Sequence, residues 1–212
     1  MDATMNDWPG SSDSFFRDDF SDWQHNAVLG VAWFADDEIS KWETHVAAYG
    51  DAAKAVASSL IGGGLPADLA AYPVIFLFVH HFEIAMKAII KLAARFLEKD
   101  VPIPKSHDLL QLWSVASPVI VELEEAVGEE GTDEASRDTK RLFEELASSG
   151  VNSTSIRYPE GLTGEDNIPN LKRFNVRHFA ATASKVSNYL SCLGTWIWVL
   201  LQTKWDMESE YR

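Results

Sequence analysis

The strongest constraint on the fold is an apolar pattern over residues 67–98 that repeats with helical spacing. Its members are Leu69, Tyr72, Phe76, Val79, Met86, Ile90, Ala93 and Leu97, with a second set at Ile75, Phe82, Ile89 and Phe96. Two such sets widen the apolar face of one helix, so the pattern predicts a long helix that is buried on most sides. Pro102 and Pro104 then end it, because proline lacks an amide donor and restricts the residue before it.

The rest of the chain is predicted to be helical around one long loop. Further helices are expected at 15–35, 37–60, 106–127, 132–147 and 171–204, and residues 1–13 are expected to be a flexible N-terminus. The segment 148–170 is rich in Ser, Asn, Gly and Pro. Irregular loops of that length are often functional. We therefore expect an all-α fold with a single helical domain over 14–212.

Composition and charge exclude several classes of protein. The chain has 212 residues, a formal net charge of −14 and one cysteine. A disulfide framework and multi-cysteine metal sites are excluded, and Cys192 is expected to be a buried structural thiol. Broad non-specific binding to nucleic acid needs a positive surface, so RNA or nucleotide must use a local cationic pocket. No metal or cofactor is expected.

Localisation is predicted from what the sequence lacks. No basic segment followed by an apolar run is present at the N-terminus, and no uninterrupted apolar run reaches the roughly 20 residues that span a bilayer. A cytoplasmic protein without a membrane segment is the expectation.

Polar residues interrupt the apolar pattern at a few positions. His80, Glu83 and Lys87 share one ridge of the predicted helix, either as an exposed edge with an ordinary Glu83–Lys87 pair or as a polar line that faces a pocket. His107 opens the next helix. It either orients the linker by hydrogen bonding or binds a phosphate together with free helix-end amides.

Three further cations are candidate ligands for an anion. Arg157 lies between Ile156 and Tyr158, and its guanidinium can fork onto a phosphate or carboxylate, or can pin the loop to a core carboxylate such as Glu83. Lys172 and Arg173 are placed in the first turn of the last predicted helix. Cations there oppose the helix dipole, so they favour a bound anion unless solvent screens them.

These polar residues occur within motifs that resemble the HEPN superfamily. The motifs are the run 81–90 (His-Phe-Glu-Ile-Ala-Met-Lys-Ala-Ile-Ile), the proline-containing linker, Ser106-His107-Asp108-Leu109-Leu110 and Arg157-Tyr158-Pro159. Residues 72–78 and 112–113 resemble a mostly uncharacterised bacterial branch, and the likeness covers about residues 70–190. It implies an antiparallel helical bundle, often dimeric. The HEPN-like core would cover about residues 67–205, preceded by an N-terminal helical extension.

The resemblance also implies roles in toxin–antitoxin or antiviral systems. Many members are metal-independent ribonucleases whose Arg and His meet across a dimer interface, and others are nucleotide-binding or assembly modules. Arg173 and His178 fit the spacing of that pair. His178 would act as general base or acid on the ribose 2′-hydroxyl, and Arg173 would stabilise charge on the phosphorane.

Three functions are therefore expected. The first is a dimeric module that binds RNA or nucleotide phosphate in a prokaryotic defence or toxin system, using His80, Glu83, Lys87, His107, Arg157 and Lys172. The second is an endoribonuclease that uses Arg173 and His178. The third is a non-catalytic interaction or assembly module, for which the apolar segment 196–201 is a dimer face or, alternatively, part of a core helix.

Overall fold

The computed structural model describes residues 38–129, 133–161 and 163–210. The described part contains five α-helices and no strand, which confirms the predicted all-α helical bundle. The predicted helix at 15–35 and the flexible segment 1–13 lie outside the described residues. The helices are α1 (Glu38–Ile61), α2 (Ala67–Phe96), α3 (Leu109–Val127), α4 (Asp133–Ser148) and α5 (Val176–Glu210), with a one-turn 3-10 helix at Ser155–Arg157.

Capping side chains decide where two helices begin. The carboxylate of Asp108 accepts the amides of Leu110 and Gln111 at 2.8 and 3.2 Å, so α3 begins at Leu109. Asn175 accepts the amide of His178 at 3.0 Å and precedes α5 in the same way.

The cap at Asn175 corrects one prediction. Lys172 and Arg173 precede α5 and are not in its first turn. The prediction that both cations lie in the first turn and oppose the helix dipole was therefore wrong.

Helix α2 is the centre of the bundle and contacts α1, α3 and α5. Helix α1 runs antiparallel to it, because Trp42 lies beside Lys91 while Tyr49 lies beside His80. Helix α5 runs in the same direction as α2, from the contact of Phe179 with Phe78 to that of Trp205 with Arg95. Helix α3 also follows α2, since His107 precedes it at Glu83 and Glu122 near its end meets Lys99.

Among the described residues, one helix is long enough and apolar enough to cross a membrane, and that helix is α2. Its apolar window is 72% buried by the rest of the chain. The core helix of a bundle has the same properties, because it must be apolar all round to pack on several neighbours.

His81 joins three helices at the centre of the bundle. It is 2% exposed, and its Nδ1 lies 2.9 Å from the carbonyl oxygen of Val46 in α1. A carbonyl only accepts, so Nδ1 carries the proton and Nε2 accepts from the hydroxyl of Ser187 in α5 at 2.8 Å. Burial lowers the pKa of His81, which favours this neutral ring.

Gly50 leaves room for the His81 ring. A Cβ atom placed at Gly50 would lie 2.9 Å from Cε1 of His81, closer than real Cβ contacts allow. The ring cannot easily move aside, because hydrogen bonds hold both of its nitrogens. Any side chain larger than that of glycine at position 50 would therefore push α1 away from α2.

Helix α5 has one exposed face and one buried face, which bears on two sequence predictions. Cys192 is exposed, so the expectation of a buried thiol was wrong; it occupies an outward position of the helix. In the apolar segment 196–201, Ile197 and Leu201 are buried in the core while Val199 is 54% exposed. The segment is thus core helix on one face and exposed on the other.

We predict that Gly50→Ala destabilises the protein. Alanine is the better helix former by about 1 kcal/mol, but overpacking a core costs about 1–3 kcal/mol. The net loss should be about 1 kcal/mol, measured by urea unfolding. Gly194→Ala is the matched control, because no atom lies within 4 Å of a Cβ built there in α5. Its free energy of unfolding should rise by about 0.5–1 kcal/mol. A rise in both variants would contradict the steric conflict between position 50 and the His81 ring.

Candidate functional site

A buried carboxylate organises the polar residues of α2. Glu83 is 2% exposed and accepts hydrogen bonds from Lys87 Nζ at 2.7 Å and from Ser153 Oγ at 2.5 Å. His107 Nδ1 lies 3.0 and 3.1 Å from its two oxygens, and His80 Nδ1 lies 3.7 Å away. The side chains that surround Glu83 thus come from three separate segments of the chain.

Glu83 is ionised in this environment. Burial alone would raise its pKa, but the neighbouring His80, Lys87, Ser153 and His107 side chains outweigh burial and hold the pKa well below its usual range. Water is nearly excluded from the carboxylate, so these protein groups replace its hydration.

The arrangement differs from both sequence interpretations of the ridge. Glu83 is neither on an exposed edge nor on the wall of an open pocket, because Lys87 and Ser153 cover it. His107 orients the linker before α3 through its contact with Glu83, as one of its two expected roles required. Its side chain remains 56% exposed.

Ser153 is the residue of this network that the sequence did not reveal. It lies 70 positions from Glu83 and is buried. Serine is common in loops, so nothing in the composition of 148–170 distinguishes it. A turn around it is the only local signal: Asn152 Oδ1 accepts the amides of Thr154 and Ser155, both at 2.8 Å.

The same loop positions Arg157. Ser153 fixes the loop to Glu83, Ile156 is buried in the core, and the 3-10 turn then directs residue 157 outward. The guanidinium carbon of Arg157 lies 5.9 Å from the ring centre of Phe76 in α2. Arg157 therefore does not pin the loop to Glu83, which was one of its two expected roles.

An open cleft adjoins Arg157. It has a volume of about 690 Å³ and lies between the start of α2 and the loop. Tyr72 and Tyr158 on its wall are 54% and 61% exposed. Within the described residues, no carboxylate lies in ion-pair distance of Arg157. The lining comprises Tyr72, Ile156, Arg157, Tyr158, Pro159, Glu160, Gly164, Asp166 and Ile168.

Two stacked rings lie between Arg157 and the buried carboxylate. His80 stacks on Phe76 with ring centres 5.6 Å apart and planes 5° from parallel, and its Nδ1 lies 3.7 Å from an oxygen of Glu83. The structure thus brings together His80, Glu83, Lys87, His107 and Arg157 along one side of α2.

The remaining candidates lie elsewhere. Lys172 and Arg173 are exposed before α5, and His178 is exposed in its first turn. None of the three makes a side-chain hydrogen bond or ion pair with another described residue. In the described part of the chain, no cluster of three or more His, Cys, Asp or Glu side chains is placed to hold a metal ion.

Comparison with known protein families, with curated proteins and with solved structures gives no match for this chain.

We predict that Glu83→Gln destabilises the protein strongly. It removes the charge that Lys87 and His107 face, and breaking a buried ion pair typically costs about 3–5 kcal/mol. Urea unfolding should show a loss near the lower end, because Lys87 keeps some contact with water. Glu98→Gln is the control, an exposed glutamate that pairs with Lys204. Its effect should be small, and equal effects of the two substitutions would refute the buried network.

Proposed function

We propose that this chain is a HEPN-like helical module that binds the phosphate of RNA or of a nucleotide in the cleft beside Arg157. The observation that carries the proposal is an exposed guanidinium in a cleft, with no carboxylate of the described residues within ion-pair distance of it. In a chain of net charge −14, such a group is a local positive charge with which a single phosphate can pair.

The walls of the cleft suit a nucleotide for a second reason. Tyr72 and Tyr158 expose aromatic rings there, and aromatic rings stack on bases with about 1–3 kcal/mol per base. A guanidinium forks onto phosphate oxygens through two parallel hydrogen bonds. A base and its phosphate thus have complementary partners in one place.

His80, Lys87 and His107 serve this site indirectly in our proposal. Their side chains surround Glu83, which fixes the loop that bears Arg157. Glu83 and its partners are thus positioning residues rather than direct phosphate ligands.

The wider setting of the proposal comes from the motifs. The resemblance to HEPN domains favours a homodimer, or a complex with a partner protein, in a cytoplasmic prokaryotic defence or toxin–antitoxin system. Val199 and Met207 on α5 are exposed apolar side chains that an interface would cover. A pure assembly module would have the same face but would not need Arg157.

Adenosine 5′-monophosphate or a short RNA should raise the melting temperature of the wild-type protein. A ligand at about ten times its dissociation constant adds about 1.4 kcal/mol, or a few degrees for a chain of this size. Arg157→Ala should lose this shift, since no other cation lines the described cleft.

Arg141→Ala is the matched control for that experiment. Arg141 is an exposed arginine on α4 that contacts Asp138 and lies outside the cleft. It should keep the full shift. No shift in the wild-type protein at millimolar ligand, or equal losses in both arginine variants, would refute phosphate binding in the cleft.

A metal-independent endoribonuclease is the second candidate function. It is favoured by the exposure of Arg173 and His178 at the start of α5, where a second copy of the chain could reach both. Binding in the Arg157 cleft does not depend on it.

Incubation of the purified protein with RNA and a chelator tests this candidate. Cleavage should leave a 2′,3′-cyclic phosphate, and His178→Ala should abolish it because the general base is lost. His45→Ala removes another exposed histidine, on α1, and should leave cleavage unchanged. Intact RNA with the wild-type protein, or cleavage by His178→Ala at the wild-type rate, would exclude the Arg173–His178 mechanism.

A further inference from the structure

The charges on the described walls of the cleft are unequal. Arg157 is the one cation there, while Glu160 and Asp166 contribute two carboxylates. All three side chains are exposed. A ligand that bears several phosphates would therefore meet more negative than positive charge.

The two carboxylates lie opposite each other across a narrow turn. Glu160 and Asp166 are partners in an isolated antiparallel bridge. The turn is closed by the amide of Gly161 donating to the carbonyl of Glu165 at 2.8 Å and by that of Asn167 donating to Pro159 at 3.2 Å. Partners in such a bridge carry their side chains on the same face, with Cβ atoms about 5 Å apart.

One carboxylate oxygen of this pair is already engaged. Asp166 Oδ1 accepts the amide of Ile168 at 3.0 Å, which orients the side chain and leaves Oδ2 for another donor. Carboxylates accept hydrogen bonds and cannot donate them when ionised. The acidic side of the cleft thus suits a ligand group with paired hydroxyl donors.

We propose that the cleft selects a ribonucleoside that carries one phosphate and a free cis-diol, an inference that rests on the proposed phosphate-binding function. Arg157 takes the phosphate, Tyr72 or Tyr158 stacks on the base, and Glu160 and Asp166 accept the 2′- and 3′-hydroxyl groups. Acidic side chains accept ribose hydroxyls in the same manner in dinucleotide-binding folds. The volume of about 690 Å³ is within the range of small-molecule sites.

Two sources present this chemistry. One is a free nucleoside 5′-monophosphate, and the other is the 3′ end of an RNA strand, whose last nucleoside has one phosphate and an unblocked diol. A nucleoside triphosphate has the diol but adds phosphates, and a deoxynucleotide has the phosphate but lacks the diol.

Calorimetric titration of the full chain separates these ligands. With chelator present, adenosine 5′-monophosphate should bind at least tenfold more tightly than adenosine triphosphate and severalfold more tightly than 2′-deoxyadenosine 5′-monophosphate. An RNA oligonucleotide with a free 3′ end, compared with the same strand blocked by a 3′-phosphate, tests the second source. Preference for the free end over the monophosphate assigns the site to RNA termini.

A double variant identifies the residues that produce the selection. Glu160→Gln with Asp166→Asn should weaken the preference for ribose over deoxyribose and raise the affinity for the triphosphate, because repulsion is removed. Glu144→Gln, an exposed glutamate on α4, should change neither. Retention of both preferences by the double variant would overturn the assignment.

The outcomes distinguish the two proposals. Equal affinities for the monophosphate, the triphosphate and the deoxynucleotide, all lost in Arg157→Ala, would refute the selection and leave phosphate binding intact. Absence of binding for every ligand would refute both.

Discussion

The carboxylate of Glu83 is the constraint on which the polar half of this structure depends. An ionised carboxylate that is nearly shielded from water costs several kcal/mol unless protein donors replace its hydration. Here Lys87 supplies one donor from the next turn of α2, while His107 and Ser153 supply donors from beyond it. The charge thereby fixes the linker before α3 and the loop that bears Arg157 against the central helix.

His81 fixes the apolar half of the bundle in a similar manner, through hydrogen bonds to two other helices. His80 and His81 point about 100° apart around α2, so adjacent residues serve different sides of one helix. His81 binds α1 through Val46 and α5 through Ser187, and His80 lies between Phe76 and Glu83. A single turn of α2 thus connects the packing of the bundle to the geometry of the cleft.

Much of the fold could be predicted from the sequence, since it depends on local rules. Helical periodicity located α2, predicted at 67–98 and found at Ala67–Phe96, and prolines located the linker that follows. The Glu83–Lys87 pair also follows from spacing along one helix. Fine boundaries depended on caps, and the cap at Asn175 moved the start of α5 past Lys172 and Arg173.

Contacts between distant segments could not be predicted in the same way. Ser153 and Ser187 are ordinary serines in sequence, yet each meets a buried partner on α2, 70 and 106 positions away. Whether Arg157 would contact Glu83 or a cleft depended on the direction of a short 3-10 turn, which no periodic pattern encodes. Exposure of Cys192 depended on which face of α5 packs on α2.

Our central claim is that Glu83 holds the loop in the conformation that forms the Arg157 cleft. Amide hydrogen exchange in Ser153→Ala tests it most directly, because that substitution removes one loop contact and leaves Lys87 and His107 on the carboxylate. Exchange should accelerate at 150–168. It should stay unchanged in α1 and in the middle of α5 around Ser187, the two helices that His81 joins to α2. Unchanged protection of the loop, or equal acceleration throughout the bundle, would contradict the claim.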